Sequence, residues 1–185
     1  MTADFSFPPG LLLILGGLLL PCLPGLARKI LLLLLPLLVL GLVWTIPDGI
    51  AQQTAFLGQT LVLVKGDALS RLFATVFAIM AFAGGLYALN QTRVVELAAA
   101  FCYAGGAIGV VFAGDLITVF IFWELMALAS TLVVCAGGPS ARAAGIRYAV
   151  IHFLGGVLLM TGIAGVVANG EPIAFGPMIL DSPAH

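Results

Sequence analysis

Two side chains in this 185-residue chain are of a type and in a place to move protons. Glu124 stands inside the apolar run Phe120-Ile121-Phe122-Trp123-Glu124-Leu125-Met126, roughly in the middle of a stretch long enough to be a membrane-crossing helix. An ionisable group at mid-helix costs about 2.5 to 3.5 kcal/mol to insert, so such groups face a bundle interior or a hydrated path. A carboxyl withdrawn from water favours its protonated form, and a nearby Lys or Arg favours the ionised form. Movement between two such settings would exchange a proton. Ala127 and Thr131 follow three and seven positions on, a small and mildly polar stripe on the same helix face that could border a hydrated cavity. The alternative is a structural carboxyl satisfied by hydrogen bonds from neighbouring helices. His152 is the second group, four or five residues after Arg147 and Tyr148 and one turn into the expected sixth span. Histidine titrates in the useful range, and at that shallow depth either a proton relay or an interfacial packing role fits it.

Nothing else in the chain makes a catalytic constellation. There are two histidines, one of them His185, and no metal-ligand spacing, phosphate-binding glycine loop or nucleophile beside a base. No haem or flavin motif is present, so no cofactor or metal is expected and the chain is not expected to be an enzyme by itself. Cys22, Cys102 and Cys135 are far apart, lie in or beside apolar runs and read as small membrane residues. Glu96, beside Arg93, reads as an interfacial charge pair, and Asp115 as a helix cap.

The elements that position Glu124 and His152 are dictated by composition. With 62% hydrophobic and 8% charged residues, against roughly 25% charged in soluble domains, the chain needs a bilayer as its solvent. A net charge of -1 without a basic stripe excludes nucleic acid as a partner. The pattern predicts an all-α integral membrane protein, a single membrane domain over residues 1–185. Its six spans are expected at about Phe7 to Leu26, Ile30 to Ile46, Leu69 to Leu89, Val94 to Phe112, Leu116 to Val134 and Tyr148 to Ala168. Between them stand Arg28-Lys29, Pro47-Asp48-Gly49, Asn90-Gln91-Thr92-Arg93, Gly114-Asp115 and Gly137-Gly138-Pro139-Ser140, all turn or cap residues. Asp67 or Ser70 is expected to start the third helix and Asp115 to cap the fifth. The first apolar run has Asp4 and no basic residue in its flank, ends in Pro21-Cys22-Leu23-Pro24 and lacks a small-x-small site, so it reads as an uncleaved span.

If six spans alternate, Arg28, Lys29, Arg93, Arg142 and Arg147 fall on one side and Lys65 and Arg71 on the other. Short basic loops stay cytoplasmic, which sends both termini outward, with Asp4, Asp48, Glu171 and Asp181 on the outer face. The longest polar interval, 47–66, is then external, and its Leu61-Val62-Leu63-Val64 run suggests a small strand or hairpin. Ala98, Cys102 and Gly106, with Gly105 and Gly109 beside them, and Gly155-Gly156 with Gly162, are close-packing signals for neighbours in this chain or in a partner subunit.

The run Gly114-Asp115-Leu116-Ile117-Thr118-Val119 into Phe120-Ile121-Phe122-Trp123-Glu124-Leu125-Met126, then Ile146-Arg147-Tyr148 into His152-Phe153-Leu154-Gly155-Gly156, resembles the antiporter-like subunits of Mrp cation/proton antiporters and of respiratory complex I. The likeness runs over the whole chain, including Pro21 to Lys29, Leu86-Tyr87-Ala88-Leu89 and Phe175-Gly176 through Asp181 to Ala184, and looks nearest to the D-type subunit of the Mrp antiporters. The resemblance implies the first half of a fourteen-helix subunit in a bacterial inner (plasma) membrane. It implies further that Glu124 is the buried fifth-helix glutamate that works with a seventh-helix lysine in proton transfer. That lysine is not in this sequence, so the resemblance implies half of one proton path. A split subunit, a truncated reading frame or a fragment of a larger assembly would each look this way. On this reading the partners are the lipid bilayer, other subunits of a multisubunit assembly including a chain that supplies the lysine, protons and Na+. The alternatives are a proton-pumping subunit of a complex I or membrane hydrogenase type oxidoreductase, or a non-transporting structural fragment.

Overall fold

The helices end where turn and cap residues cluster, at Pro21 to Pro24, Pro47 to Gly49, Asn90 to Arg93, Gly114-Asp115 and Gly137-Gly138, whereas single residues such as Pro36 in α2 and Glu124 in α5 stand inside them. The computed structural model describes residues 7–56 and 58–176. Asp4, Asp181 to Ala184 and His185 lie outside the described residues. The elements run α1 (Pro9–Leu19) with a single 3-10 turn (Leu20–Cys22), α2 (Gly25–Val43), β1 (Gly49–Phe56), β2 (Gln59–Gly66), α3 (Ala68–Tyr87), α4 (Val94–Phe112), α5 (Leu116–Cys135) and α6 (Pro139–Ala168). Among the described residues, five of the six α-helices, α2 to α6, are long and apolar enough to cross a membrane, and the chain is a multi-pass membrane protein. The first apolar helix, Pro9–Cys22, is shorter than the 7–26 span read from the sequence. Pro21 and Pro24 cannot extend an α-helix without losing amide hydrogen bonds, so the chain tightens into the 3-10 turn and restarts at Gly25.

α4 is the hub of the bundle, packed against α1, α3 and α5, while α2 packs on α1 and α3, and α6 on α5. Small residues explain its position. Gly105 lies against the backbone of Gly10 and Ile14 in α1, and Gly106 and Gly109 lie against Met126 and Phe122 in α5. Helix backbones can approach this closely only where no Cβ intervenes. The α4 glycines thus serve packing within this chain. The main core joins Leu13, Leu32, Val39, Ala78, Phe101 and Ile108, from α1, α2, α3 and α4, and a smaller cluster of Ile14, Cys102, Phe122 and Ala129 joins α1, α4 and α5. Cys22, Cys102 and Cys135 are unpaired thiols.

The strand expected from Leu61-Val62-Leu63-Val64 is half of an antiparallel hairpin whose other strand, Gly49–Phe56, hides in the polar interval because it is mostly exposed and rich in Gln and Thr. Leu61, Val62 and Val64 turn inward and cover the end of the bundle at α4 and α5. Asp67 and Ser70 both start α3: Asp67 Oδ1 accepts from the Ser70 amide at 2.6 Å, and the Ser70 hydroxyl accepts from the Asp67 amide at 2.9 Å. That reciprocal box satisfies two amides the helix leaves open. At the other end of the bundle Lys29 Nζ donates to Asn90 Oδ1 at 3.2 Å and Arg93 Nη1 to the Ala136 carbonyl at 2.8 Å. The loops that carry Arg28, Lys29 and Arg93 therefore share one end, opposite the hairpin.

Candidate functional site at the α5–α6 face

Asp115 fixes the start of α5. Its Oδ1 accepts from the Thr118 amide at 2.8 Å, and its Oδ2 accepts from the Thr118 hydroxyl and from the Val62 amide, each at 2.6 Å. Asp115 and Thr118 are fully buried. Asp115 is thus the expected cap and also the tie between hairpin and helix, and the sequence held no sign of the second role. The same short segment holds the chain after α6, since the Leu116 amide donates to the Ile173 carbonyl at 3.0 Å and the Phe175 amide to the Gly114 carbonyl at 2.9 Å. These ties set the rotation of α5, with Phe122 and Ala129 turned toward α4 and α1.

That rotation turns Glu124 toward α6. α6 contributes little to the core, and its buried positions are Gly145, Gly156 and Ile163. Gly145 receives the Cys135 thiol and Gly156 receives the Glu124 carboxylate, so that a Cβ at either position would overlap the side chain it meets. Eleven residues separate the two glycines, about three helical turns, so both fall on one face. Gly155 and Gly162, which the sequence groups with Gly156 as close-packing signals, have open space where a Cβ would stand. Gly145 does not stand out in the sequence; its one signal is the three-turn spacing to Gly156.

Glu124 borders a cavity of about 450 Å³ between the two helices, also lined by Phe120, Phe153, Met160, Thr161 and Ala164. Its Oε1 is buried and has no hydrogen-bond partner among the described residues. The ion pairs found among those residues, Arg71 with Asp48 and Arg93 with Glu96, leave Glu124 out. A buried carboxylate oxygen without a donor is costly and calls for a proton, a water or a cation. Of the expected stripe, Ala127 is fully buried, and Thr131 donates its hydroxyl to the Ala127 carbonyl at 2.7 Å.

α6 begins at Pro139, nine residues before Tyr148, because Gly138 (φ 108°) makes the turn and Pro139 suits a first helical position. His152 is therefore well inside the helix, one turn from Gly156 and not at its edge. Its ring centroid lies 5.0 Å from that of Tyr148 and 6.3 Å from that of Trp123. Tyr148 donates to Ser130 Oγ at 3.0 Å, which in turn donates to the Met126 carbonyl at 2.7 Å. Glu124, His152, Tyr148 and Ser130 thus follow one another along the α5–α6 seam toward the end that carries Arg93. No cluster of three His, Cys, Asp or Glu side chains among the described residues could hold a metal.

Residues 113–180 match the family model described as NADH:quinone oxidoreductase/Mrp antiporter, transmembrane, which covers α5, α6 and both candidate residues. The fold is similar to a chain in the structure of the membrane-bound sulfane sulfur reductase, an archaeal respiratory membrane complex, with a TM-score of 0.73 and 18% identity over 86% of this chain. At that identity the likeness is one of fold. The present chain spans 36% of the length of the chain it matches. No curated protein sequence matches it.

Proposed function

We infer, from the match of residues 113–180 to the NADH:quinone oxidoreductase/Mrp antiporter model, that this chain works as an antiporter-like part of a multisubunit membrane complex and offers Glu124 as a proton-exchanging carboxyl. The observation that carries this is the buried Oε1 of Glu124, without a hydrogen-bond partner among the described residues, at the edge of the α5–α6 cavity. A proton, or a cation brought by a helix beyond these six, would satisfy that oxygen, and alternation between the two is a transport step. His152 and Tyr148 extend the polar seam toward the basic end and would pass the proton along it.

In its finer form the reading is the D-type subunit of an Mrp-type Na+/H+ antiporter. Its six helices would supply half of a proton path, the partner lysine would come from a seventh helix, and both termini would face outward across a bacterial plasma membrane. The single-domain reading of residues 1–185 goes with it. A second reading places the chain in a respiratory complex of the complex I or membrane hydrogenase kind. The fold likeness to a chain of an archaeal respiratory membrane complex favours that setting. Both readings use Glu124 in the same way.

The test is proton-coupled cation transport in inverted vesicles that carry this chain with its neighbouring gene products, for the wild type and for Glu124→Gln at matched expression. The expected result is loss of transport with the complex intact. Unchanged transport would remove Glu124 from the path and leave a structural fragment.

A further inference from the structure

A cavity larger than the one at Glu124 lies on α3 and α4. A groove of about 680 Å³ runs along α3 and α4, with Phe77, Met80, Gly84, Ala100 and Ala104 on its walls and Glu96 at its end. Along α3 it extends from Val76 to Ala88, a rise of roughly 18 Å, about the thickness of one leaflet's hydrocarbon. Met80 is 65% exposed and Tyr87 95% exposed, so the groove faces lipid and Tyr87 stands at its polar end, where interfacial aromatics sit.

Its polar end adjoins a second cavity of about 230 Å³ lined by Arg28, Lys29 and Asn90, and Gln91 and Leu97 line both. Lys29 spends one of its three donors on Asn90, and Arg28 uses Nε on the Leu23 carbonyl at 3.0 Å, which leaves cationic donors for an anion. Glu96 Oε2 is buried without a hydrogen-bond partner among the described residues, because Arg93 Nη1 stays 3.9 Å away. An apolar channel one leaflet deep thus ends between a two-cation cavity and the Glu96 carboxylate, whose side chain keeps 30% of its surface open.

We propose that this groove binds one phosphatidylethanolamine-type phospholipid, with an acyl chain along α3–α4, its phosphate at Arg28 and Lys29, and its ammonium at Glu96. The charges select the headgroup. A phosphate alone would meet repulsion from Glu96, a choline has no N–H to give it, and a glycerol brings no positive charge. An apolar helix would fill the walls but bring no charge to Arg28 and Lys29 and no hydrogen-bond donor to Glu96.

Native mass spectrometry of the purified chain, titrated with ethanolamine, choline and glycerol phospholipids of identical acyl chains, reads the site directly. One ethanolamine lipid should be held about tenfold more tightly than either other headgroup, the worth of one charge-assisted hydrogen bond. Gly84→Leu fills open space, so it should fold normally and lose the adduct. Glu96→Gln should keep a lipid and lose the headgroup preference, and a double change of Arg28 and Lys29 to Gln should weaken all three lipids. Equal binding of the three headgroups, or an adduct untouched by Gly84→Leu, overturns the proposal. So does a photo-crosslinker at Met80 that captures a second copy or another chain's helix in native membranes in place of lipid.

Discussion

The carboxylate of Glu124 lies against the bare Cα of Gly156: a Cβ at position 156 would come within 2.8 Å of Glu124 Cδ and closer still to Oε1. Gly156→Ala must therefore move the carboxylate, although the helix itself gains, since alanine is a better helix former than glycine by about 1 kcal/mol. Transport is expected to fall roughly 10- to 100-fold, the effect of misplacing a reacting group by about an ångström. The melting temperature in detergent should hold or rise. Wild-type transport rates in Gly156→Ala vesicles would show that the α5–α6 contact does not set the position of a working carboxyl.

That contact also marks what could be read from the chain beforehand. Glu124 stands out because a charge in an apolar run has few explanations, and the helices can be placed because turn residues interrupt hydrophobic runs. The partner face of α6 cannot. Gly155, Gly156 and Gly162 look alike in sequence, and only the rotation of α6 shows that Gly156 meets Glu124 while the other two face open space. The depth of His152 is hidden for a related reason: an Arg-bearing lead-in looks like a loop, yet Gly138 and Pro139 begin the helix there. Strand β1 is hidden too, because Gln52, Gln53 and Thr54 pair through their backbones without an apolar alternation to announce it.

Asp115 predicts a stability effect without a change in chemistry. Asp115→Ala would orphan the Val62 and Thr118 amides and the Thr118 hydroxyl in a fully buried site. A cost of roughly 3 kcal/mol is expected from a lost cap together with unsatisfied buried donors. Thermal unfolding in detergent should move down by several degrees, and proteolysis should begin in the 49–66 hairpin. Thr118→Val should cost less, because it removes one of the three donors. Equal melting of Asp115→Ala and wild type would refute this view of the hairpin anchor.

The packing glycines of α4 and the free ones of α6 give opposite expectations for a single change. Gly105→Leu drives a side chain into the backbone of Gly10 and into Ile14, so the α1–α4 contact must open and folded yield should collapse. Gly162→Leu meets nothing within 4 Å and should leave yield and melting within about 0.5 kcal/mol of wild type. Size-exclusion profiles of the two variants in one detergent decide the matter. Similar profiles would mean that the α1–α4 approach is not what holds the bundle together.

The start of α3 carries a pH dependence whose sign can be worked out. The Asp67 carboxyl is held below its ordinary value of 3.8, chiefly by the hydrogen bond from the Ser70 amide, with the Ser70 hydroxyl, the Leu69 amide and Arg71 acting in the same direction against a raising effect of burial. A depressed folded value means that the cap contributes fully above the unfolded value and is lost as pH falls through the folded one. The first turn of α3 should therefore hold at pH 3.8 and fray only as the pH falls below that, seen as faster deuterium uptake in a peptide spanning residues 68–72 once intrinsic exchange rates are divided out. Asp67→Asn keeps the cap acceptor without titrating and should flatten the profile, whereas Asp67→Ala should leave the turn frayed at every pH, at a cost of about 1 kcal/mol. If the wild-type turn stayed equally protected through that range, protonation of Asp67 would not weaken the cap.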